Sequence, residues 1–408
     1  MAKSINIIAS ALLLITAGCQ KGISLYTPGG DIRFTAISSN EAQTKAAYSG
    51  ELTSNIERID WKSGDLIRIC CAQASEPSDK HYADYKTTAG TAGTGSDAHY
   101  SEATISLDSE HFNTGLRWSE NATAIDHKFY AVYPSPDATN AVTKSISTTG
   151  DVTGQIPSTQ SYTLSSDLLE AEPVLVKTMM MVAEKTTVST YDKEKSYSQD
   201  EVFLDFYPLT TALRFTIKND TGADLSIKEL YITSASHPLS GPFSLNIGTK
   251  GTGEYANYAA CTYTGTLAND KKVTLGPFPA SGTGAVTLDE DKTFTFTFMV
   301  NPCDEIDDLV FHIVSYETGG ECYDRSTKII DANSTATPKA SVKFKKHHKA
   351  YINGLLIPAG VIWRVSYSPS VAPWGTGVSD PTNLDLPSAE NGSISPWSSG
   401  GETPLPLK

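Results

Sequence analysis

Six cysteines, eight histidines and two dense acidic runs are the side chains through which this chain could do chemistry, and their spacing decides which. Besides Cys19 the thiols are Cys70, Cys71, Cys261, Cys303 and Cys322, with no CxxC pair of the kind that holds zinc. Five is an odd number, so at least one stays unpaired. Buried free thiols are the expectation, and a Cys303–Cys322 bridge is the alternative open to an exported chain. Adjacent residues of a strand point to opposite faces, which predicts one of Cys70 and Cys71 in a core and the other outside. The runs Asp289-Glu290-Asp291 and Asp304-Glu305 with Asp307-Asp308 lack the glycine and the twelfth-position glutamate of a calcium loop, and read as solvated turns. Lys345-Lys346-His347-His348-Lys349 reads as a solvated strand end or hairpin turn rather than a metal site. No GxSxG, HExxH, GxGxxG or GxxxxGK pattern occurs, and the Gly-Thr-Gly triplets at 251–253, 282–284 and 375–377 read as turns. The expectation is a protein that is not an enzyme, with no cofactor and no metal site.

Cys19 is different. Lys3 and the apolar run Ile5–Ile15 precede it, a stretch shorter than the roughly 20 residues a spanning helix needs, so it reads as a secretion signal. Thr16-Ala17-Gly18 places small residues before the cysteine, as a lipoprotein signal peptidase requires, and so resembles a bacterial lipobox with Thr16 where a leucine usually stands. Residues 1–18 are then the signal peptide and Cys19 the lipidation site. Its acyl chains would be the only anchor to the outer membrane.

Losing residues 1–18 removes one base, Lys3, and moves the net charge from −14 to −15. That balance excludes nucleic acid as a partner, which would need a basic patch. About 390 residues remain, more than one core usually organises, so two domains are expected. Charged residues are only 19 %, while Thr, Ser, Gly and Tyr abound, the texture of an extracellular all-β protein.

The elements that must position any site are strands. Leu213–Lys218 and Thr293–Phe298 alternate apolar and polar without a fault, the mark of strands with one buried face. Further strands are read at Ile32–Ile37, Leu66–Cys70, Phe129–Tyr133, Val202–Tyr207, Leu225–Thr233, Leu309–Ser315, Val342–Phe344 and Val361–Tyr367, with a slip inside Ile227–Ile232 that predicts a β-bulge. The polar segment Tyr191–Glu201 reads as a domain joint, and Thr87–Ser96 (TTAGTAGTGS) as a flexible loop. The fold class expected is all-β, as two tandem Greek-key-like β-sandwich domains at 19–195 and 196–372. A Pro-, Gly- and Ser-rich tail follows at 373–408.

Several stretches together resemble the fimbrillin family, the lipoprotein pilins of Bacteroidetes. TKAAYSGELTSNIERIDWKSGDLIRI (44–69) is similar to the family's opening pattern, and FYAVYP (129–134) to a strand end. FYPLTTALRFTIKN (206–219) with LSGPFSLNI (239–247) resembles the start of its second domain, and IPAGVIWRVSY (357–367) a late strand. The resemblance implies a cell-surface pilus, or fimbria, subunit used in adhesion. It also implies an acylated precursor, carried to the outer membrane, from which a trypsin-like maturation protease frees an N-terminal strand. A segment from the C-terminal region of another pilin subunit then fills the groove.

Carried onto this chain, the displaced strand is Ile32–Ile37, with Ile32, Phe34 and Ala36 on one face. Candidate cleavage residues are Lys45, Arg33 and Arg58: Arg33 lies within the strand, Arg58 within the next block, and Lys45 in the polar stretch between them, although the family's cut usually follows arginine. A subunit left uncut would serve as anchor or tip. The tail offers Leu384, Leu386, Ile394 and Trp397 as donor side chains. Implied partners are other pilin subunits, the protease, the outer membrane and a ligand on a host or bacterial surface. The rival reading is an outer-membrane glycan-binding lipoprotein, which would carry two or three exposed aromatics on a shallow face.

Overall fold

The structure is a computed structural model that describes residues 30–38, 61–75, 80–92, 101–119, 125–189, 201–251, 259–263, 270–306, 308–316, 322–330, 342–344, 348–358 and 365–373. In chain order the first strands are β1 (Phe34–Ser38), β2 (Leu66–Cys70), β3 (Tyr82–Thr87), β4 (Thr91–Ala92), β5 (Ser101–Leu107) and β6 (Ile125–Tyr133). Next come β7 (Thr143–Ile146), β8 (Asp151–Ile156), β9 (Thr159–Gln160), β10 (Tyr162–Leu164), β11 (Glu170–Pro173), the single-turn helix α1 (Leu175–Thr178), β12 (Met181–Ser189) and β13 (Val202–Pro208). The remainder holds β14 (Thr211–Asp220), β15 (Leu225–Thr233), β16 (Gly241–Lys250), β17 (Ala259–Tyr263), β18 (Lys272–Leu275), β19 (Val286–Leu288) and β20 (Thr293–Val300). It ends with β21 (Cys303–Ile306), β22 (Leu309–Tyr316), β23 (Cys322–Ile330), β24 (Val342–Phe344), β25 (His348–Pro358) and β26 (Val365–Pro373). The fold is all-β.

Three cores organise these strands. The first sheet runs β1-β13-β12-β6-β2-β3-β5-β4, and β1 also pairs with β5, so the sheet curls until it meets itself in a closed barrel. Closure removes exposed sheet edges. Its interior is filled by Ile67, Ile69, Ala83, Tyr85, Phe129, Ala131, Leu204 and Phe206 among others. Against the outer face of β6, β12 and β13 lies a second sheet, β17-β16-β8-β7, which buries Tyr130, Val132, Val182 and Tyr207 under Val152, Phe243 and Ile247. The third core is a sandwich between β10-β11-β20-β14-β25-β26 and β23-β22-β15-β18-β9. Phe215, Phe294, Phe296, Phe298 and Phe311 stack through it, with Phe215 and Phe296 parallel at 5.3 Å.

Pattern and packing agree in detail at several places. β14 buries Leu213, Phe215 and Ile217 and leaves Arg214, Thr216 and Lys218 half-buried. The slip in Ile227–Ile232 is a register shift between Ile227 and Glu229 against β22. In β20 the alternation gives way to burial on both faces, because Met299 turns into the barrel core while Phe298 and Val300 face the sandwich.

Other places differ. Cys70 and Cys71 are both buried free thiols. Cys71 enters the barrel core, and Cys70 stands on the outer face directly between Tyr82 and Tyr130 of its neighbouring strands, which cover it. Burial pushes the two thiols up to about 12 and about 11. Cys261 and Cys322 are in no disulfide, so the Cys303–Cys322 bridge that the sequence left open does not form. Part of the low-complexity loop is ordered strand: Thr91 and Ala92 pair with Glu102 and Ser101, and the Gly90 N–H donates to Trp61 O at 2.8 Å. A Cβ on Gly90 would stand 2.2 Å from Ser101 Oγ and 3.1 Å from Trp61 N, so glycine is there for close approach.

Strand pairing also crosses the 195/196 position in both directions. β13 closes the first barrel, β16 and β17 complete the sheet begun by β7 and β8, and β9 to β11 join the two sheets of the sandwich. The expected joint at Tyr191–Glu201 lies, but for Glu201, outside the described residues.

Candidate functional site: the strand that closes the barrel

β1 and the residues before it alternate Ile32, Phe34 and Ala36 with Asp31, Arg33 and Thr35, a pattern that suits a strand with one apolar face. All three apolar residues are buried in the barrel interior. Phe34 is packed edge-on between Tyr85 and Phe129, with ring centroids at 5.2 and 5.4 Å. Burial of side chains the size of Ile32 and Phe34 contributes about 1.5–3 kcal/mol each.

The backbone of β1 is engaged on both edges. It runs parallel to β13, from Phe34 opposite Val202 to Ser38 opposite Phe206, and antiparallel to β5, from Phe34 opposite Ile105 to Ile37 opposite Glu102. Among the described residues the β1–β13 ladder is the one parallel pairing in the barrel. Upstream, Ile32 N donates to Leu116 O at 3.1 Å, Trp118 N to Gly30 O at 2.9 Å, and Arg117 pairs with Asp31 at 3.0 Å. Taking β1 away would leave the facing edges of β5 and β13 unpaired and uncover an apolar slot lined by Tyr85, Phe129 and Leu204.

Ile32, Phe34 and Ala36 thus come together as read from the sequence. Arg33 has an exposed side chain, but its carbonyl accepts from Val202 N at 2.9 Å, so the peptide is held in the ladder. Cys19, Lys45, Arg58, Leu384, Leu386, Ile394 and Trp397 lie outside the described residues. Sequence reasoning missed Thr35, which is 1 % exposed and donates its hydroxyl to the Glu201 carboxylate. It also missed β13 as the parallel partner. No local pattern announces a pairing across that sequence separation.

The other polar clusters among the described residues have partners within the chain. Asp108, Glu110 and His111 converge, but Lys86 already sits among them, 2.9 Å from Asp108 and 3.0 Å from Glu110. Asp291 pairs with Lys218 at 2.6 Å, and Asp308 accepts from Ser234 at 2.8 Å and from the Ala235 N–H, capping a loop. Arg68 is buried in a bidentate pair with Asp84 at 2.7 and 2.8 Å, which Ser135 supports at 2.9 Å. Among the described residues Tyr323, 38 % exposed, is the one large aromatic that stands out from the surface.

No family model matches the chain, and no curated protein matches it in sequence. Among solved structures, it is similar to a candidate cell adhesion protein from Bacteroides uniformis, at 14 % identity and TM-score 0.45 over 85 % of this chain and 98 % of that one. A fimbrial assembly protein from Parabacteroides distasonis is similar at 9 % identity and TM-score 0.36 over 84 % and 95 %. The tip fimbrial protein Mfa3 from Porphyromonas gingivalis, truncated at its C-terminus, is similar at 7 % and 0.27 over 84 % and 100 %.

Proposed function

We propose that this chain is a cell-surface pilus subunit for adhesion, exported as a precursor lipidated at Cys19 and assembled by exchange of β1 for a strand from another subunit. The observation that carries the reading is the placement of β1: an N-terminal strand that closes a barrel on both edges and fills its core. Its removal would create what β-augmentation requires, unpaired N–H and C=O groups beside an apolar slot. A contact of that kind is head-to-tail and does not close on itself, so a fibre follows. In this reading cleavage falls after Lys45, with Arg58 the alternative, since a cut after the third candidate, Arg33, would leave β1 on the chain; the 373–408 tail with Leu384, Leu386, Ile394 and Trp397 supplies the donor. Cys19 anchors the precursor to the outer membrane. The glycan-binding alternative has less support, since the described surface presents no group of exposed aromatics.

The test is to treat the purified mature chain with trypsin under native conditions and follow it by mass spectrometry and electron microscopy. First cleavage between Ser38 and Arg58, then release of the β1 peptide and growth of filaments, is the expected course. Stable monomer after release of that peptide would overturn the exchange reading, as would first cleavage elsewhere with that region intact. Separately, Cys19→Ala is expected to abolish palmitate labelling.

A further inference from the structure

We propose that a cleft between β8, β9 and α1 is a binding site for one sugar residue carrying a carboxylate or sulfate group. Its volume is about 250 Å³, and its polar lining is Asn140, Lys144, Gln155, Thr159, Ser161 and Lys177. Sites for drug-sized ligands span roughly 300–1,000 Å³, so this one has room for a single ring rather than a nucleotide or an oligosaccharide.

Charge gives the sign of the ligand. The chain is strongly acidic, at −14, and Lys86, Lys128, Lys218 and Lys250 each stand within 3.0 Å of a carboxylate. No acidic side chain lines the cleft, and Lys144 and Lys177 have no carboxylate partner among the described residues. Lys144 Nζ donates to Ala141 O at 2.8 Å, which holds the ammonium at the cleft and leaves two of its hydrogens for a ligand. An anion that reaches both ammonium groups would gain charge-assisted hydrogen bonds from each.

The other groups say what the anion is attached to. Asn140, Gln155, Thr159 and Ser161 bring amides and hydroxyls that both donate and accept, as ring hydroxyls require. A bare sulfate would use none of the acceptors. A peptide would look for main-chain partners, and several N–H groups in and beside the cleft are already taken: Val142 N by Val176 O at 3.1 Å, Gln155 N by Val142 O at 2.9 Å, and Val174 N by Ser161 O at 2.8 Å. Those same bonds tie the walls together. Asn140 is held in the left-handed region at φ 56°, at the lip of the cleft. The site is thereby built before a ligand arrives, which lowers the ordering cost of binding.

This site is independent of strand exchange, so either proposal can fail alone. The test is calorimetry and amide NMR on the full mature chain with four probes: glucuronate, glucose 6-sulfate, uncharged methyl glucoside and inorganic sulfate, with an acidic dipeptide as a fifth. Saturable binding of both charged sugars is expected, with amide shifts confined to 140–144, 155–161 and 174–177. Lys144→Gln and Lys177→Gln should each weaken it about tenfold. Lys177→Arg should keep most of it, and all variants should melt like the parent. Equal binding of methyl glucoside, sulfate or the dipeptide would overturn the proposal. So would shifts elsewhere, or no saturation at millimolar glucuronate and glucose 6-sulfate.

Discussion

Phe34 is buried edge-on between Tyr85 and Phe129, so its loss would leave a void in the barrel core. Phe34→Ala is therefore expected to cost about 3–5 kcal/mol of stability, read as a fall in the urea midpoint with an unchanged slope. Asp65 gives a second prediction at this scale. Burial pushes its carboxyl up to about 6, against the opposing hydrogen bond from the Lys62 N–H at 2.8 Å and that from Tyr133 at 3.3 Å. Between the usual value near 3.8 and about 6 the folded chain holds this proton and the unfolded chain has lost it, so stability falls as pH rises through that window. Asp65's own contribution to stability should therefore fall by an amount on the order of 3 kcal/mol between about pH 4 and pH 6–7, read as the difference between the parent and Asp65→Asn in urea unfolding across that range. Alternation alone placed Ile32, Phe34 and Ala36 on one face, because period two is a local property of extended chain. The raised Asp65 was not legible, since its cause is the protein packed around it.

At the scale of elements, β1 and the β3–β4 connection carry opposite lessons. The β1 segment has an apolar face readable from six residues, and its function as the closing strand follows from where its neighbours lie. The TTAGTAGTGS stretch has a composition that suggests freedom, yet Gly90 sits against Trp61 and Ser101 with no room for a methyl group. Gly90→Ala is expected to destabilise by about 1–3 kcal/mol, measured by thermal or urea unfolding, where a free loop would tolerate it. Ala36 is likewise surrounded. Ala36→Leu should overpack the barrel and speed loss of the β1 peptide after cleavage, followed as its rate of appearance in the supernatant.

For the molecule as a whole, the interleaved pairing makes the two halves of the sequence depend on each other. A fragment of residues 19–195 lacks β13, which pairs with both β1 and β12, and lacks β16 and β17, which cover Tyr130 and Val182. That fragment is expected to give collapsed NMR spectra and no cooperative unfolding, and the full mature chain to unfold as a cooperative unit. The sequence by itself determined the strand faces, the near absence of helix, the bulge in β15, the acidic balance and the apolar register of β1, since each rests on composition or on neighbours a few residues apart. Tertiary structure decided that the first sheet closes on β1, that Cys70 and Cys71 are both covered, and that Met299 and Phe298 serve different cores. Those outcomes turn on which distant edges meet, and hydrogen-bonding backbone looks the same along every strand.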